Sequence, residues 1–223
     1  MRSDLFAQDH QEQQTTQRWV LQSKRMLRVA LGADVLCAKG AMVAFQGTVT
    51  FNHEGSGGLG KFVRRAMTSE DTPLMRVAGQ GEVFFAREAA EIFLVELEGD
   101  GISINGRSLL AFEATLEWDV HRTKGAGMMS GGLFNTLVQG TGTVALTADG
   151  EPLILDCSQQ PTFVDPQAAV CWSANLTPNV VSSMNVSSML RGGSGEAIQY
   201  SFHGPGFVVV QPSEGPTVPP HSH

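Results

Sequence analysis

The chain has 223 residues, enough for a sizeable core in one domain or two. Its formal charge of −7 disfavours broad contact with phosphate backbones unless a local basic patch exists. It holds 25 Gly against 3 Trp, 1 Tyr and 12 Phe, so it is rich in turns, and no apolar run approaches the ~18 residues of a membrane-spanning helix.

Taken in chain order, residues 1–17 read as a loosely ordered polar segment. Met1-Arg2-Ser3-Asp4 leads into a Gln/Thr stretch from Gln8 to Gln17, with no apolar signal core, so a soluble cytoplasmic protein is expected. Residues 18–212 read as an all-β domain. Short alternating or apolar runs occur at Arg18–Gln22, Met26–Leu31, Met42–Phe51, Val83–Ala86, Ile92–Glu98, Ile102–Asn105 and Leu109–Val120. The series continues at Val144–Thr147, Leu153–Cys157, Thr162–Val164, Ala169–Leu176, Ile198–Phe202 and Phe207–Gln211. Gly, Asp, Asn and Pro bound these runs, as they bound strands. Asn105-Gly106 and Asp149-Gly150 are tight-turn candidates, because Gly tolerates positive φ. Gly60–Ser69 and Val180–Arg191 are candidate short helices. Residues 213–223 close the chain as a proline-rich disordered tail.

A glycine motif recurs three times: Gly79-Gln80-Gly81-Glu82-Val83, Gly140-Thr141-Gly142-Thr143-Val144 and Gly204-Pro205-Gly206-Phe207-Val208. Each copy opens an apolar run, so a tight turn or close backbone approach is expected there rather than a phosphate loop, which would open a helix. The repeat extends upstream. Leu36-Cys37-Ala38-Lys39-Gly40-Ala41-Met42 lines up with Leu110-Ala111-Phe112-Glu113-Ala114-Thr115-Leu116 and with Val170-Cys171-Trp172-Ser173-Ala174-Asn175-Leu176. Gly57-Gly58, Gly131-Gly132 and Gly192-Gly193 recur inside the gaps. The first unit carries about a dozen extra residues near Asn52–Pro73. Three pseudo-equivalent β-sandwich or β-helix-like units are expected, closed into a ring by the N- and C-terminal strands, with one or two short helices.

Lys39-Gly40-Ala41-Met42-Val43-Ala44, the three glycine motifs, Leu109-Leu110-Ala111 and the closing Gly204-Pro205-Gly206 with Val208, Val210 and Gln211 resemble one family. It is the altered inheritance of mitochondria family, member twenty-four in its naming series, with bacterial homologues. The resemblance covers roughly residues 20–212. It implies a β-sandwich fold like that of the tryptophan RNA-binding attenuation protein, which builds rings. It also implies an association, in mitochondrial members, with inner-membrane organisation. It brings no established reaction.

No catalytic, cofactor-binding or metal-ligating residue is assigned. Cys37, Cys157 and Cys171 sit in apolar stretches at spacings that fit neither a zinc ribbon nor a redox pair, so they read as buried thiols. His53, His121 and His203 are not at repeat-equivalent positions, and His10, His221 and His223 lie in the ends. Glu96 and Glu98 alternate with Val95 and Leu97 and read as a solvated face, as do Glu113, Glu117 and Asp119. Trp19, Trp118 and Trp172 read as core packing, with a pocket for a flat ligand as the sharper alternative. The triplets Lys61, Arg64, Arg65 and Lys24, Arg25, Arg28 read as coats on solvated faces.

These residues point to a non-enzymatic scaffold or interaction protein that forms a homo-oligomer and works through an unidentified protein partner. No cofactor and no integral membrane contact are expected, and nucleic acid is disfavoured. The alternative is a β module for a small ligand or metal. RNA binding through Lys61, Arg64 and Arg65 ranks below both. The Asn52–Pro73 insertion is the place where an irregular loop on a rigid scaffold would carry binding.

Overall fold

The computed structural model describes residues 3–54, 74–122, 134–181 and 198–214. Nearly all of the regular structure is strand. The only helix among the described residues is two single 3-10 turns, Asp4–Phe6 and Gln8–His10. No helix among them is long and apolar enough to cross a membrane. The expected helix at Gly60–Ser69 lies outside the described residues. So does most of the one at Val180–Arg191, but Val180 and Val181 lie in a strand, as their β-branched side chains favour.

The strands are β1 (Trp19–Ser23), β2 (Met26–Leu31), β3 (Val35–Ala38), β4 (Met42–His53), β5 (Leu74–Phe85), β6 (Glu91–Asn105), β7 (Leu109–Glu113), β8 (Glu117–Arg122) and β9 (Phe134–Ala148). They continue with β10 (Leu153–Asp156), β11 (Thr162–Val164), β12 (Ala169–Ser173), β13 (Asn179–Val181), β14 (Gln199–Phe202) and β15 (Phe207–Val210). One 12-stranded sheet follows the order β1-β2-β5-β3-β7-β9-β6-β12-β15-β10, with β4 added on β5 and β8 on β9. A 3-stranded sheet has the order β11-β14-β13. Every pairing is antiparallel, as short connections between successive strands require.

The sheet is open. The expected meeting of first and last strands is not made, because β15 is already paired on both edges, by β10 and by β12. β1 lies at the far end of the path.

The glycine motifs are bends rather than turns in their first two copies. β5 runs straight through Gly79 and Gly81, at φ 122° and 131°, and β9 through Gly140 and Gly142, at 121° and 155°. Only the third copy, Gly204 and Gly206, separates two strands, β14 and β15. In the first two copies the glycines therefore let a long strand change direction and serve different neighbours on its two halves. In β5 the half before the bend pairs β3 and the half after it pairs β2.

The half after each glycine also pairs a bulged strand. Met42 faces Phe85, Leu109 faces Leu146 and Ala169 faces Val210, and in each strand the register then slips past one residue, Val43, Leu110 or Val170. Met42, Leu109 and Ala169 thus each stand one step before the bulge of their strand. The expected alignment of Leu36–Met42 with Leu110–Leu116 is offset, because Val35–Cys37 instead pair against Ala111–Glu113 of β7.

Three apolar clusters fill the interior. Leu36, Phe112, Val144 and Leu146 belong to one, and Leu27, Val29, Phe85 and Ala111 to a second. Trp172, Tyr200, Phe202 and Val208 form the third, where the Trp172 and Phe202 rings lie 5.5 Å apart.

Candidate functional site

Turns and strand ends from distant parts of the chain converge on one cavity of about 720 Å³. The turn after β3 brings Lys39 and Gly40, the β6–β7 turn brings Gly106, Arg107 and Ser108, and the residues before β12 bring Gln167. Strand ends add Arg87 after β5, Asp149 after β9 and Gln211 after β15. Arg87 anchors the wall. Its Nη1 donates to the carbonyl oxygens of Gly106 at 3.3 Å, Arg107 at 2.8 Å and Leu109 at 3.2 Å. Burial pulls its pKa below the ordinary guanidinium value, opposed by the nearby charge of Glu88.

The adjoining β5–β6 turn is strained. Glu88 and Ala89 hold φ of 49° and 56°, and the Ala90 amide donates to the Arg87 carbonyl at 2.9 Å. Two positive φ values inside an i to i+3 bond mark a type I′ turn, normally built from Asn and Gly. Lys39, Arg87 and Arg107 form no ion pair among the described residues, and the lining holds no His or Cys. The chemistry available is attraction of an anionic group, moderated by Glu88 and Asp149. These cations are scattered along the sequence, so no spacing announces the cavity.

A second feature is apolar. Val43 and Phe45 on β4 are 52% and 45% exposed, Leu153 and Ile154 on β10 are 59% and 67% exposed, and Phe163 on β11 is 57% exposed. An apolar cleft of about 290 Å³ lies against Ile154, lined also by Phe93, Val95, Phe207 and Val209. Among the described residues β4 pairs only with β5, and β11 only with β14. Exposed apolar side chains on unpaired edges are the features that proteins use, or guard, for association.

The residues singled out by sequence fall as follows. The glycines lie against neighbouring strands: a Cβ on Gly79 would collide with the Thr48 carbonyl oxygen, and one on Gly81 with that of Gln46. Close backbone approach is thus the role of the first pair, whereas Gly140, Gly142, Gly204 and Gly206 lie against side chains of Leu116, Glu113, Leu176 and Ser173. His53 ends β4, His121 lies on β8 and His203 follows β14; among the described residues no three metal-ligating side chains gather. His221 and His223, all three Gly-Gly pairs, Lys61, Arg64, Arg65 and most of the Asn52–Pro73 insertion lie outside the described residues. The base of that insertion is pinned: Arg76 donates to both carboxylate oxygens of Glu54, at 2.8 and 2.9 Å, and to Asp34 at 3.1 Å.

Glu96 and Glu98 are exposed while Leu97 is buried, and Glu96 accepts from the Thr143 hydroxyl. Glu113 departs from the expected solvated face. It accepts from Arg18 at 2.7 Å and from the Trp19 indole at 3.2 Å, because β1 reaches the end of β7. Gly142 leaves room for it, since a Cβ there would sit 2.7 Å from that carboxylate. Arg28 also departs from its solvated triplet. It is 4% exposed and donates to Glu82 at 2.8 Å and to the carbonyl oxygens of Gln13, Thr15 and Gln17. The N-terminal segment, expected to be loose, is thereby tied to β2. Trp118 and Trp172 pack in apolar clusters. All three cysteines are buried free thiols, and burial pushes Cys37 and Cys171 up to about 12.

A solved structure shares this architecture. A Streptococcus pyogenes protein solved by X-ray crystallography superposes with a TM-score of 0.69 at 22% identity, over 87% of this chain and 92% of its own. An uncharacterized protein of Streptococcus pyogenes serotype M6 is 26% identical over 193 residues, which is 81% of this chain and 77% of that protein. The family model described as mitochondrial biogenesis AIM24 matches residues 19–213. The chain belongs to the mitochondrial biogenesis AIM24 family.

Proposed function

We propose that this protein is a non-enzymatic scaffold that self-assembles and works through a protein partner in the cytoplasm. The observation that carries this reading is the exposure of Val43, Phe45, Leu153, Ile154 and Phe163 on strand edges and faces that no other described residue covers. A β fold with open edges invites strand-to-strand association.

The same reading takes the domain as three pseudo-equivalent units, in the manner of the attenuation-protein fold. Support comes from the three bulged strands with matching partners, and from the three glycine bends. Unit one is β2 to β5, unit two β6 to β9 and unit three β10 to β15, with β1 as an addition at the front. A second reading, a small-ligand module, is favoured by the cations Lys39, Arg87 and Arg107 around one cavity, which suit a small anion.

Sedimentation velocity over a hundredfold range of concentration tests the scaffold reading. A defined oligomer is expected. A single monomer species throughout, with a small anion raising thermal stability, would replace the scaffold reading with the ligand reading.

A further inference from the structure

The two junctions between successive units are made by the same pairing. At the first, β3 lies against β7, with Val35 facing Glu113, Leu36 facing Phe112 and Cys37 facing Ala111. At the second, β6 lies against β12, with Ile102 facing Ser173, Ser103 facing Trp172 and Ile104 facing Cys171. The central pair is buried each time: Leu36 and Phe112 at 0%, Ser103 at 4% and Trp172 at 1%.

A third junction has both its strands and is not made among the described residues. The strand that corresponds to β3 and β6 is β11. Thr162, Phe163 and Val164 face Phe202, Ser201 and Tyr200 of β14, as Ile102, Ser103 and Ile104 face Val138, Leu137 and Thr136 of β9. The strand that corresponds to β7 and β12 is the start of β4, where Ala44, Phe45 and Gln46 follow the Val43 bulge. Carrying over the register sets Thr162 against Gln46, Phe163 against Phe45 and Val164 against Ala44. The central pair would then be the two exposed phenylalanines.

We propose that β11 of one copy pairs with β4 of a second copy in this register, so that the third junction is completed between molecules. The inference rests on the scaffold reading and names its interface. Three things favour a second copy as the occupant. Both edges are unpaired among the described residues, each carries an exposed Phe at the same central position, and the register that joins them is already used twice. The contact is heterologous, each copy offering a β4 edge and a β11 edge, so repetition builds a ring if the rotation closes and a filament if it does not.

The test is cysteine cross-linking, on a low background because the native thiols are buried. Facing residues on antiparallel strands lie within disulfide reach. Phe45→Cys and Phe163→Cys are made separately on full-length chains carrying different tags, mixed and oxidised. The expected product is the mixed dimer, in clear excess over either variant oxidised alone. Phe163→Asp, a surface change that leaves the circular dichroism spectrum unaltered, should weaken association by about tenfold or more, as loss of a central aromatic does.

Three results would overturn the proposal. One is a double variant, Phe45→Cys with Phe163→Cys, that closes within a single chain. Another is assembly that persists unchanged in Phe163→Asp with no mixed cross-link; the scaffold reading would then survive on another interface. The third is a wild-type monomer at every concentration, which removes both.

Discussion

At the scale of single residues, two glycines in the left-handed region separate strain from collision. Gly81 has φ 131° and its absent Cβ would overlap the Gln46 carbonyl, whereas Gly99 has φ 97° with nothing within 4 Å. Gly99→Ala should cost about 1–3 kcal/mol of backbone strain. Gly81→Ala should cost several kcal/mol more, because β4 and β5 must part to admit the methyl. Urea unfolding measures both, and equal losses would contradict the close-approach role. Gly140→Val should likewise damage folding, through φ 121° and contact with Leu116; normal stability in that variant would count against the bend.

Tyr200 makes a separate point, since its hydroxyl is buried without a partner among the described residues. Tyr200→Phe removes that unpaired group and should leave stability unchanged or raise it by about 1 kcal/mol. The thiols set a pH limit. Cys37 and Cys171 titrate at about 12 when folded and ordinarily at 9.0, so the unfolded chain loses these protons first. Their contribution is complete below pH 9 and is lost as pH rises toward 12, at up to about 1.4 kcal/mol per pH unit per thiol. Denaturation midpoints should fall above pH 9, and Cys171→Ala should flatten that fall. An unchanged slope would exclude the Cys171 thiol as a cause.

At the scale of elements, burial patterns explain what sequence revealed and what it hid. β2 and β11 have the expected limits because turn-forming or charged residues bound each short run on both sides, Lys24-Arg25 and Gly32 for β2, Pro161 and Asp165-Pro166 for β11. The early halves of β5 and β9 were not predicted, because a Gly-x-Gly reads as a stop when the chain uses it to bend a continuing strand. The alignment of Leu36–Met42 has a related limit: local similarity cannot tell which partner a strand takes, and in the fold it is Met42 that faces Phe85 as Leu109 faces Leu146.

Composition alone makes the N-terminal segment loose, yet one buried guanidinium from β2 collects its carbonyls. Arg28→Ala should therefore destabilise by about 1–3 kcal/mol, less than a fully buried pair would, because Glu82 is partly exposed. It should also raise hydrogen exchange at residues 13–17. Unchanged protection there would mean that Arg28 does not hold the segment.

At the scale of the whole molecule, the all-β class and the glycine repeat were readable, while the arrangement of the sheet was not. Closure is expected from the order of the units, but β15 spends both edges on β10 and β12, and among the described residues β4 and β11 each keep one edge without a partner strand. The cavity was hidden for a comparable reason, since Lys39, Arg87 and Arg107 meet only through three separate turns. The scaffold reading follows from those open edges rather than from any one residue. Native mass spectrometry on full-length protein purified without an affinity-metal step tests it most directly. The account predicts one defined oligomer whose mass is a whole multiple of the bare chain. A monomer at all concentrations, or a reproducible excess mass on every chain that marks a bound ligand in place of assembly, would contradict it.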